Sequence, residues 1–412
     1  MIRLCTVLLM LWFAGPFSVQ SSPAMTLEEA VATALKQNPE LQELRLEAEA
    51  AQGQLEKAQL PLIANPVLET SGSRREMDPD EERGWVTNYG VRLSQEFEVA
   101  GQRAIRIDVA QKTLGRVDLE IKDRERTLRY EVKDAYARAL ASKERISLAK
   151  EVVRLREDLL DLTRTKYGAG DVSALEVNLA EVEASKARTE LVSEEQSLRE
   201  SILSLQGMMG TGGELLRSVE GELAPHVIDV PDRQTLRNGL KVRPDVKAAA
   251  LEVERSNRAV DLVRREAVPN PSLGGFYDRD ELRSDVGMVL SISIPLFDRK
   301  QGERREARAK LEQARIKRAG LDLAIEREFE DAYTNLVSSL RQLSIYKKEI
   351  VVKSLENLDL LNLAFKEGKI GFYDIRLAQR DAIDVRFAYF DALLRAEQAI
   401  NALERTTGGN LR

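Results

Sequence analysis

Apolar and polar residues alternate in two short stretches of the chain, from Tyr89 to Phe97 and from Val286 to Ile294. A period of two puts successive side chains on opposite faces of an extended strand. A shorter candidate strand and a charged, turn-rich loop precede each stretch. The pattern therefore predicts two β-hairpins, at about 66–99 and 271–297.

Apolar residues recur at steps of three and four in two much longer stretches, 101–165 and 302–365, which contain no proline. This spacing is typical of a coiled-coil seam. At 1.5 Å per residue, each stretch would form a helical rod of roughly 95 Å. A glycine-bearing turn ends each rod and a return helix follows. We therefore predict two long helical hairpins, at about 101–207 and 302–405.

The same order of elements occurs twice, which indicates an internal duplication. Three ungapped shifts of the sequence against itself, by 205, 197 and 198 residues, align the two copies. The changes of shift mark small insertions or deletions. The aligned residues include Leu35-Lys36 with Leu240-Lys241, Asn65-Pro66 with Asn270-Pro271, Gly90 with Gly287, Asp134-Ala135-Tyr136 with Asp331-Ala332-Tyr333, and Gly170 with Gly368.

Each copy begins with short helices. Thr26 is a suitable N-cap for a helix from Leu27 to Gln37, and Pro39 separates that helix from the next. The second copy repeats this order from Thr235 to Val242. The predicted organisation is a signal peptide at 1–24, repeat 1 at 25–210, a linker at 211–232, repeat 2 at 233–405 and a tail at 406–412.

The N-terminus has the features of an export signal. Arg3 precedes an apolar segment from Leu4 to Phe13, and Ser22-Pro23-Ala24 offers small residues for cleavage. An uncleaved anchor is the alternative, but this segment is about half of the ~20 residues that span a bilayer. Cys5 would leave with the signal, so the mature chain would contain no cysteine. No apolar helix of spanning length follows, so strands would have to make any membrane crossing.

Charged residues make up 32% of the chain and aromatic residues 5%, as in long helices and coiled coils. The net charge of -6, with both signs interspersed, argues against a nucleic-acid partner. The sequence contains no phosphate-binding loop, zinc motif or nucleophile with a histidine partner, so we predict no enzyme activity, cofactor or metal site. His226 is the only histidine and is interpreted as a linker residue.

Two hairpins supply four strands, and four strands cannot close a barrel. A barrel in lipid must close, because open edges leave backbone groups unpaired, and the smallest have about eight strands. Strands that enter a bilayer would therefore require several copies of the chain. Aromatic residues near the loop ends fit a membrane interface, although a soluble β-layer remains open at this point. They are Trp85, Tyr89, Phe276 and Tyr277.

Several duplicated motifs resemble those of the TolC family of outer-membrane efflux and secretion channels, over essentially the whole mature chain. The strand-to-helix segments look most like the outer-membrane subunits of heavy-metal RND efflux systems, the CzcC/CusC group. The motifs are TLEEAVATALKQNPEL at the start, NP before each hairpin, VRLSQEFEVAGQR and VLSISIPLFDRKQGE after the strands, and KYGAGDVS and FKEGKIGFYD at the turns.

This resemblance implies an α+β membrane protein in which a homotrimer forms a 12-stranded β-barrel in the outer membrane of a Gram-negative bacterium. A periplasmic α-helical barrel would continue the duct. Its expected partners are outer-membrane lipid, a periplasmic adaptor protein and an inner-membrane RND-type pump. The expected cargo is metal cations. Drug or organic toxicant efflux and type I protein secretion are alternatives with the same fold, and a soluble coiled-coil scaffold is a further rival.

The resemblance also implies roles for the two helical tips. Glu176 and Asp374 would line the periplasmic entrance, where rings of carboxylates select cations; solvated helix carboxylates are the alternative reading. Arg164 and Arg376 are candidates for bonds that hold the entrance shut. The expected adaptor-contact residues, which could equally be ordinary helix-ending turns, are Tyr167, Gly170, Asp171, Val172, Phe365, Gly368, Lys369 and Ile370.

Overall fold

The computed structural model describes residues 25–76, 85–212, 218–224, 232–280 and 283–409. The predicted signal peptide, most of the linker and His226 lie outside them. Repeat 1 contains α1 (Leu27–Gln37), α2 (Pro39–Gln59), β1 (Val67–Glu76), β2 (Trp85–Glu96), α3 (Gln102–Ala169) and α4 (Ala174–Met209). Repeat 2 contains α5 (Arg233–Gly239), a 3₁₀ turn (Leu240–Val242), α6 (Pro244–Glu266), β3 (Pro271–Arg279), β4 (Ser284–Ile292), α7 (Gln301–Ile345), a π-helical turn (Tyr346–Ile350), α8 (Val351–Lys366) and α9 (Phe372–Thr407). The α+β class and the duplicated unit of short helices, β-hairpin and long helical hairpin are confirmed.

Side-chain caps fix where the first helices begin. Thr26 and Glu29 form a capping box, in which the Thr26 amide donates to Glu29 Oε2 at 2.9 Å. Asn38 then caps α2, because its Oδ1 accepts from the Leu41 amide at 3.2 Å and Pro39 occupies the first helical position. The break between the two helices therefore follows directly from the local sequence.

The ends of repeat 2 differ from the prediction by a few residues. The first short helix begins at Arg233 and not at Thr235, because the carboxylate of Asp232 accepts from the Gln234 and Thr235 amides at 3.1 Å each. The last helix continues to Thr407, two residues into the predicted tail. Gly408, at φ 70°, ends it.

The four strands form one antiparallel sheet in the order β1-β2-β3-β4. Each hairpin pairs its own strands, and β2 pairs with β3 to join the two repeats, with Val91 opposite Tyr277. Consequently β1 and β4 are the edges of the sheet, and each has an outer side that no described strand covers.

The long helices pack around an apolar core on the middle of α3. Leu128, Val132 and Ala139 in α3 are fully buried there. Tyr136 links this core to the start of repeat 1, since its hydroxyl donates to Met25 O at 2.8 Å and accepts from the Glu220 amide at 3.1 Å. The short N-terminal helix is therefore fixed against the rod and cannot swing as a separate arm.

One feature breaks the symmetry between the rods. In repeat 1 the rod is one α-helix of 68 residues, whereas in repeat 2 a π-helical turn of 5 residues separates α7 from α8. The long helix predicted over 302–365 is therefore present, but it is not α-helical throughout. Between Tyr333 and Phe365 the alignment shift changes from 197 to 198, so repeat 2 has one extra residue there. A π turn accommodates a single extra residue without changing the faces of the flanking helices.

Removing Lys347, which lies in the π turn, should convert the second rod into a continuous α-helix and leave the thermal midpoint unchanged or raised. Lys150 is the aligned residue in uninterrupted α3. Its removal should rotate the α3 residues beyond it by about 100° around the helix axis and so lower the thermal midpoint strongly. Helical circular dichroism during heating measures both. Equal tolerance of the two deletions would contradict this account of the π turn.

Candidate functional site

The β-sheet has one face on which exposed apolar side chains form a continuous band. The strand register puts these side chains on the same side, because residues on one strand alternate between faces and paired residues share a face. Exposed fractions in the band run from 42% to 80%, which is unusual for large apolar groups. The band consists of Leu68, Val91, Leu93, Leu273, Val286, Met288, Leu290 and Ile292.

The opposite face of the sheet is mainly polar. Glu69 and Arg92 pair across it at 3.6 Å, and Asp278 stands opposite Asp285. The Asp278 carboxylate lies directly over Gly90, so a side chain at this position would have to displace it. A sheet with one apolar and one polar face can separate lipid from water.

The aromatic residues near the loop end do not all share one face. The register puts Trp85, Tyr89 and Tyr277 on the apolar face, and the guanidinium of Arg74 lies 5.0 Å from the Trp85 ring centre. Phe276 lies on the polar face instead. Its ring covers Gly287, where an added Cβ would come within 2.6 Å of the ring. The interfacial position expected for Phe276 is therefore wrong, because its strand neighbour Tyr277 takes the outward position.

The two helical tips have the same backbone design. Gly170 and Gly368 adopt φ values of 83° and 73°, which favour glycine. In the first tip the Asp171 amide donates to Lys166 O at 2.9 Å, and in the second the Lys369 amide donates to Ala364 O at 2.9 Å. Each tip is thus a tight, hydrogen-bonded reversal of the chain.

The two candidate entrance carboxylates both cap the helix that follows their tip. Glu176 Oε2 accepts from the Ser173 amide at 2.7 Å and its hydroxyl at 3.0 Å. Asp374 Oδ2 accepts from the Gly371 amide at 3.1 Å. Asp374 is exposed and Glu176 is half-buried. Capping fixes both carboxylates at equivalent places on the tips, and leaves the Asp374 charge facing solvent.

The other predicted tip residues divide into exposed and buried ones. Tyr167 is 51% exposed, and Gly170, Asp171, Gly368 and Lys369 are exposed as well. Val172 and Ile370 are half-buried. Phe365, at 3% exposure, packs inside a small apolar core and does not present its ring at the surface of the single chain. That core consists of Leu159, Leu160, Ala180, Ala184, Phe365, Phe372 and Ile375.

A buried arginine above the tips joins the two repeats, and sequence reasoning missed it. Arg156 in α3 is 6% exposed and donates to Gln379 Oε1 in α9 at 3.0 Å. Glu183 in α4 lies 4.0 Å from Arg156 and 3.1 Å from Arg376. Burial lowers the pKa of the Arg156 guanidinium, and Arg376 adds to this effect while Glu183 opposes it. A charged residue within the apolar seam of α3 was the available signal.

The two arginines proposed for the entrance have different partners. Arg376 bonds Glu183 and so connects repeat 2 to repeat 1. Arg164 bonds Glu181 at 3.3 Å, within the helical hairpin of repeat 1, and is half exposed. Only Arg376 therefore joins elements from different repeats.

A family model described as "Outer membrane efflux protein" matches residues 30–211 and 235–409, one segment for each repeat. The chain belongs to this family. The resemblance to outer-membrane efflux channels that the sequence motifs indicate is confirmed. The outer-membrane location follows from membership of this family. The family comprises efflux channels and not enzymes, which agrees with the prediction of a non-enzymatic protein.

Two curated relatives illustrate the range of this efflux family. The cobalt-zinc-cadmium resistance protein CzcC of Cupriavidus metallidurans is 23% identical over 95% of this chain and 92% of its own length. The probable efflux pump outer membrane protein TtgC of Pseudomonas putida is 23% identical over 91% of this chain and 78% of its own. Among solved structures, CusC superposes with a TM-score of 0.79 at 16% identity, covering 93% of this chain and 92% of CusC.

In the described ranges, no helix is both long and apolar enough to cross a membrane. The described side chains also include no group of three or more His, Cys, Asp or Glu residues placed to hold a metal ion.

Replacing Arg156 by Met should destabilise the efflux protein by about 1–3 kcal/mol, because Gln379 would keep a buried oxygen without its donor. For a chain of this size the thermal midpoint should fall by a few degrees. Arg164→Met removes the same charge from an exposed site on the same helix and should stay within about 0.5 kcal/mol. Thermal unfolding in detergent compares the two, and equal midpoints would contradict the structural role of Arg156.

Proposed function

We propose that this efflux protein is the exit duct of a tripartite efflux system. Three copies would form a homotrimer in the outer membrane that extends into the periplasm. A periplasmic adaptor would connect it to an inner-membrane RND-type pump, which supplies the energy. The observation that carries the proposal is the four-stranded sheet with one exposed apolar face and two free edges.

The free edges are what require several copies. In lipid, the outward backbone groups of β1 and β4 would have no partner, and each unpaired group costs several kcal/mol. Pairing with further copies removes both edges. Three copies of four strands give twelve, within the range of known outer-membrane barrels.

The tips are proposed as the periplasmic end of the duct. The rods are long enough to keep the tips far from the sheet, since 68 residues of α3 span roughly 100 Å. The exposed turn residues Tyr167, Asp171 and Lys369 would meet the adaptor. Asp374 and Glu176 would face the entrance, where copies in a ring bring like charges together.

Metal cations are the proposed cargo. Acidic residues on the polar face of the sheet, among them Asp278 and Asp285, favour passage of cations over anions. CzcC, named for cobalt, zinc and cadmium resistance, aligns with nearly the whole chain, which supports the same cargo class. Organic toxicants remain the second candidate, because TtgC relatives named for toluene efflux align as well. The relatives cited here are named for metal resistance or for toluene efflux, and not for type I protein secretion.

A deletion strain tests cargo and membrane role together. Loss of the gene should lower tolerance to cobalt, zinc or cadmium, and the wild-type gene should restore it. Leu290→Lys puts a charge on the apolar face at a cost of about 2–4 kcal/mol near the bilayer centre and should not restore tolerance. Ser291→Lys changes the next residue in the chain, which lies on the polar face, and should restore tolerance.

Unchanged metal tolerance with lowered toluene tolerance would reject the metal cargo and favour the second candidate. Equal behaviour of the two lysine variants, at matched protein levels in the membrane fraction, would reject the assignment of the apolar face to lipid.

Neutralising Asp374 should lower the preference of the purified channel for cations. Asp374→Asn suits this test because an amide oxygen can still accept from the Gly371 amide, so the helix cap is kept while the charge is lost. Planar-bilayer recordings under a salt gradient give the cation-to-anion permeability ratio. Asp381→Asn, an exposed residue two turns farther along α9, is the matched control. An identical ratio in both variants would remove Asp374 from the entrance.

A further inference from the structure

A cavity of about 410 Å³ lies between the helical hairpins of the two repeats, next to the tips. In the chain, α9 packs on both α3 and α8, and the cavity occupies the gap between α3 and α8. Part of its wall is Gln379 of α9, which is 1% exposed. Sites for small molecules commonly have volumes of about 300–1,000 Å³. The cavity is therefore large enough for a small organic molecule.

Much of the cavity wall is apolar. Leu159 and Phe365, at 5% and 3% exposure, belong to the small apolar core above the tips. Leu155 and Leu162 are half-buried, and Leu363 is 56% exposed. Covering such a side chain with an apolar ligand removes its surface from water, which is favourable. The lining therefore favours a ligand with largely apolar surface.

Two carboxylates stand at the cavity, one on each of its helices. They belong to Asp158 in α3 and Asp359 in α8, and both residues are exposed. Among the described residues, neither carboxylate has a hydrogen-bond or ion-pair partner. The acidic neighbours Glu157 and Asp161, also in α3, pair with arginines at 2.6 and 3.8 Å. The cavity thus keeps negative charge that the rest of the chain does not neutralise.

The net charge of the cavity lining is -1. Among the described residues that line it, Lys366 is the only cation, set against the two carboxylates. Arg156 bonds the wall residue Gln379 from outside the cavity, and Glu183 at 4.0 Å offsets its charge. An excess of one negative charge on an apolar wall favours a ligand with one positive charge.

We propose that this cavity binds a lipophilic organic cation with a single positive charge. Its apolar groups would cover the leucines, and its charge would lie between Asp158 and Asp359. The Phe365 ring already attracts one cation, since the Lys166 ammonium lies 5.5 Å from the ring centre. A small inorganic cation would leave the leucines in water, and a neutral apolar molecule would leave the carboxylates without a counterion.

Such a ligand would join the two repeats near the tips. Asp158 belongs to the hairpin of repeat 1, and Asp359 belongs to the hairpin of repeat 2. Arg156 and Arg376 already connect these hairpins through hydrogen bonds. A ligand in contact with both would add a further link and would oppose their separation. Because the cavity lies within one chain, the inference goes beyond the proposed duct and does not depend on it.

Two ions of nearly equal size and opposite charge test the proposal. Tetraphenylphosphonium should saturate about one site per chain when the purified protein in detergent is dialysed against it to equilibrium. Tetraphenylborate has almost the same shape but is an anion. It should bind this site at least about tenfold more weakly, because the net charge of the lining repels it. Uptake by detergent micelles does not saturate in this way and is the same for every variant.

Charge variants give effects of opposite sign. Asp158→Asn and Asp359→Asn should each weaken phosphonium binding by about two- to fivefold, the usual worth of an exposed ion pair, and the double variant should weaken it further. Lys366→Gln should strengthen binding by a similar factor, because it removes a like charge. Asp161→Asn is the matched control, since Asp161 is exposed on the same helix but does not line the cavity. It should leave the affinity unchanged.

A variant that fills the cavity keeps all of its charges. Leu363→Trp enlarges an exposed side chain that lines the cavity and should abolish the saturable phosphonium site. Leu360→Trp is its control, because Leu360 is 66% exposed on the same helix and does not line the cavity. Bound phosphonium should also raise the thermal midpoint of the wild-type protein, and of the Leu360→Trp variant, but not that of Leu363→Trp.

The outcomes separate this site from the proposed function. Equal binding of the two ions, or an unchanged affinity in the double aspartate variant, would overturn the inference. A conducting trimer without a saturable phosphonium site would also overturn it and would leave the duct intact. A protein that binds phosphonium as expected but conducts no ions would keep the site and overturn the duct.

Discussion

The need to pair every backbone group of a strand in lipid governs the rest of this molecule. Its four-stranded sheet has an apolar band on one face and two edges whose outer sides pair with no other strand among the described residues. Water would hydrogen-bond to those groups. Exposing the apolar band to water, however, would cost roughly 25 cal/mol for each Å² of apolar surface. In lipid the apolar band is stable, and the unpaired backbone groups of the edges are the ones that cost free energy. Only a closed wall that lipid surrounds satisfies the band and the edges together.

The long helices solve a different problem with the same duplicated unit. Their buried positions are mostly alanine, leucine and valine at helical spacing, so two rods can lie close together over a great length. Large aromatic residues are rare in this core, and most polar residues remain on outer faces as ion pairs. Such surface pairs contribute little stability each. The rods therefore depend on the continuity of their apolar seams, which makes the single extra residue in repeat 2 a problem that the π turn has to absorb.

Much of the fold could be predicted because its signals are local and repeated. Alternation located both hairpins, and Thr26 and Pro39 located the first helices. The errors have local causes as well. Asp232 is a stronger N-cap than Thr235, so the first helix of repeat 2 begins earlier than predicted. Phe276 lies on the polar face because its neighbour Tyr277 lies on the apolar face. The one-residue change of shift shows that repeat 2 has an extra residue, but it does not show that a π turn accommodates that residue. Arg156 is visible in the sequence as a charged residue within the apolar seam of α3, but its contacts with Gln379 and Glu183 depend on tertiary packing, which one sequence does not reveal.

The two repeats differ in the lengths of their hairpin loops, where the shift changes from 205 to 197, and again towards the helical tips. At the sheet, equivalent strands keep equivalent faces and spacing, as a continuous wall requires. Towards the tips, the extra residue enters one rod only, and Arg156 is replaced by Ser354 at the aligned position of repeat 2. A ring of three such chains contains six repeats. These repeats are nearly equivalent at the strands, but at the tips they form two different sets of three. The strand end has to be uniform to seal against lipid, whereas the helical end is free to differ because water satisfies its surface. Sequence changes that adapt the chain to a partner or to an entrance can therefore occur at the helical tips without disrupting the closed wall of strands.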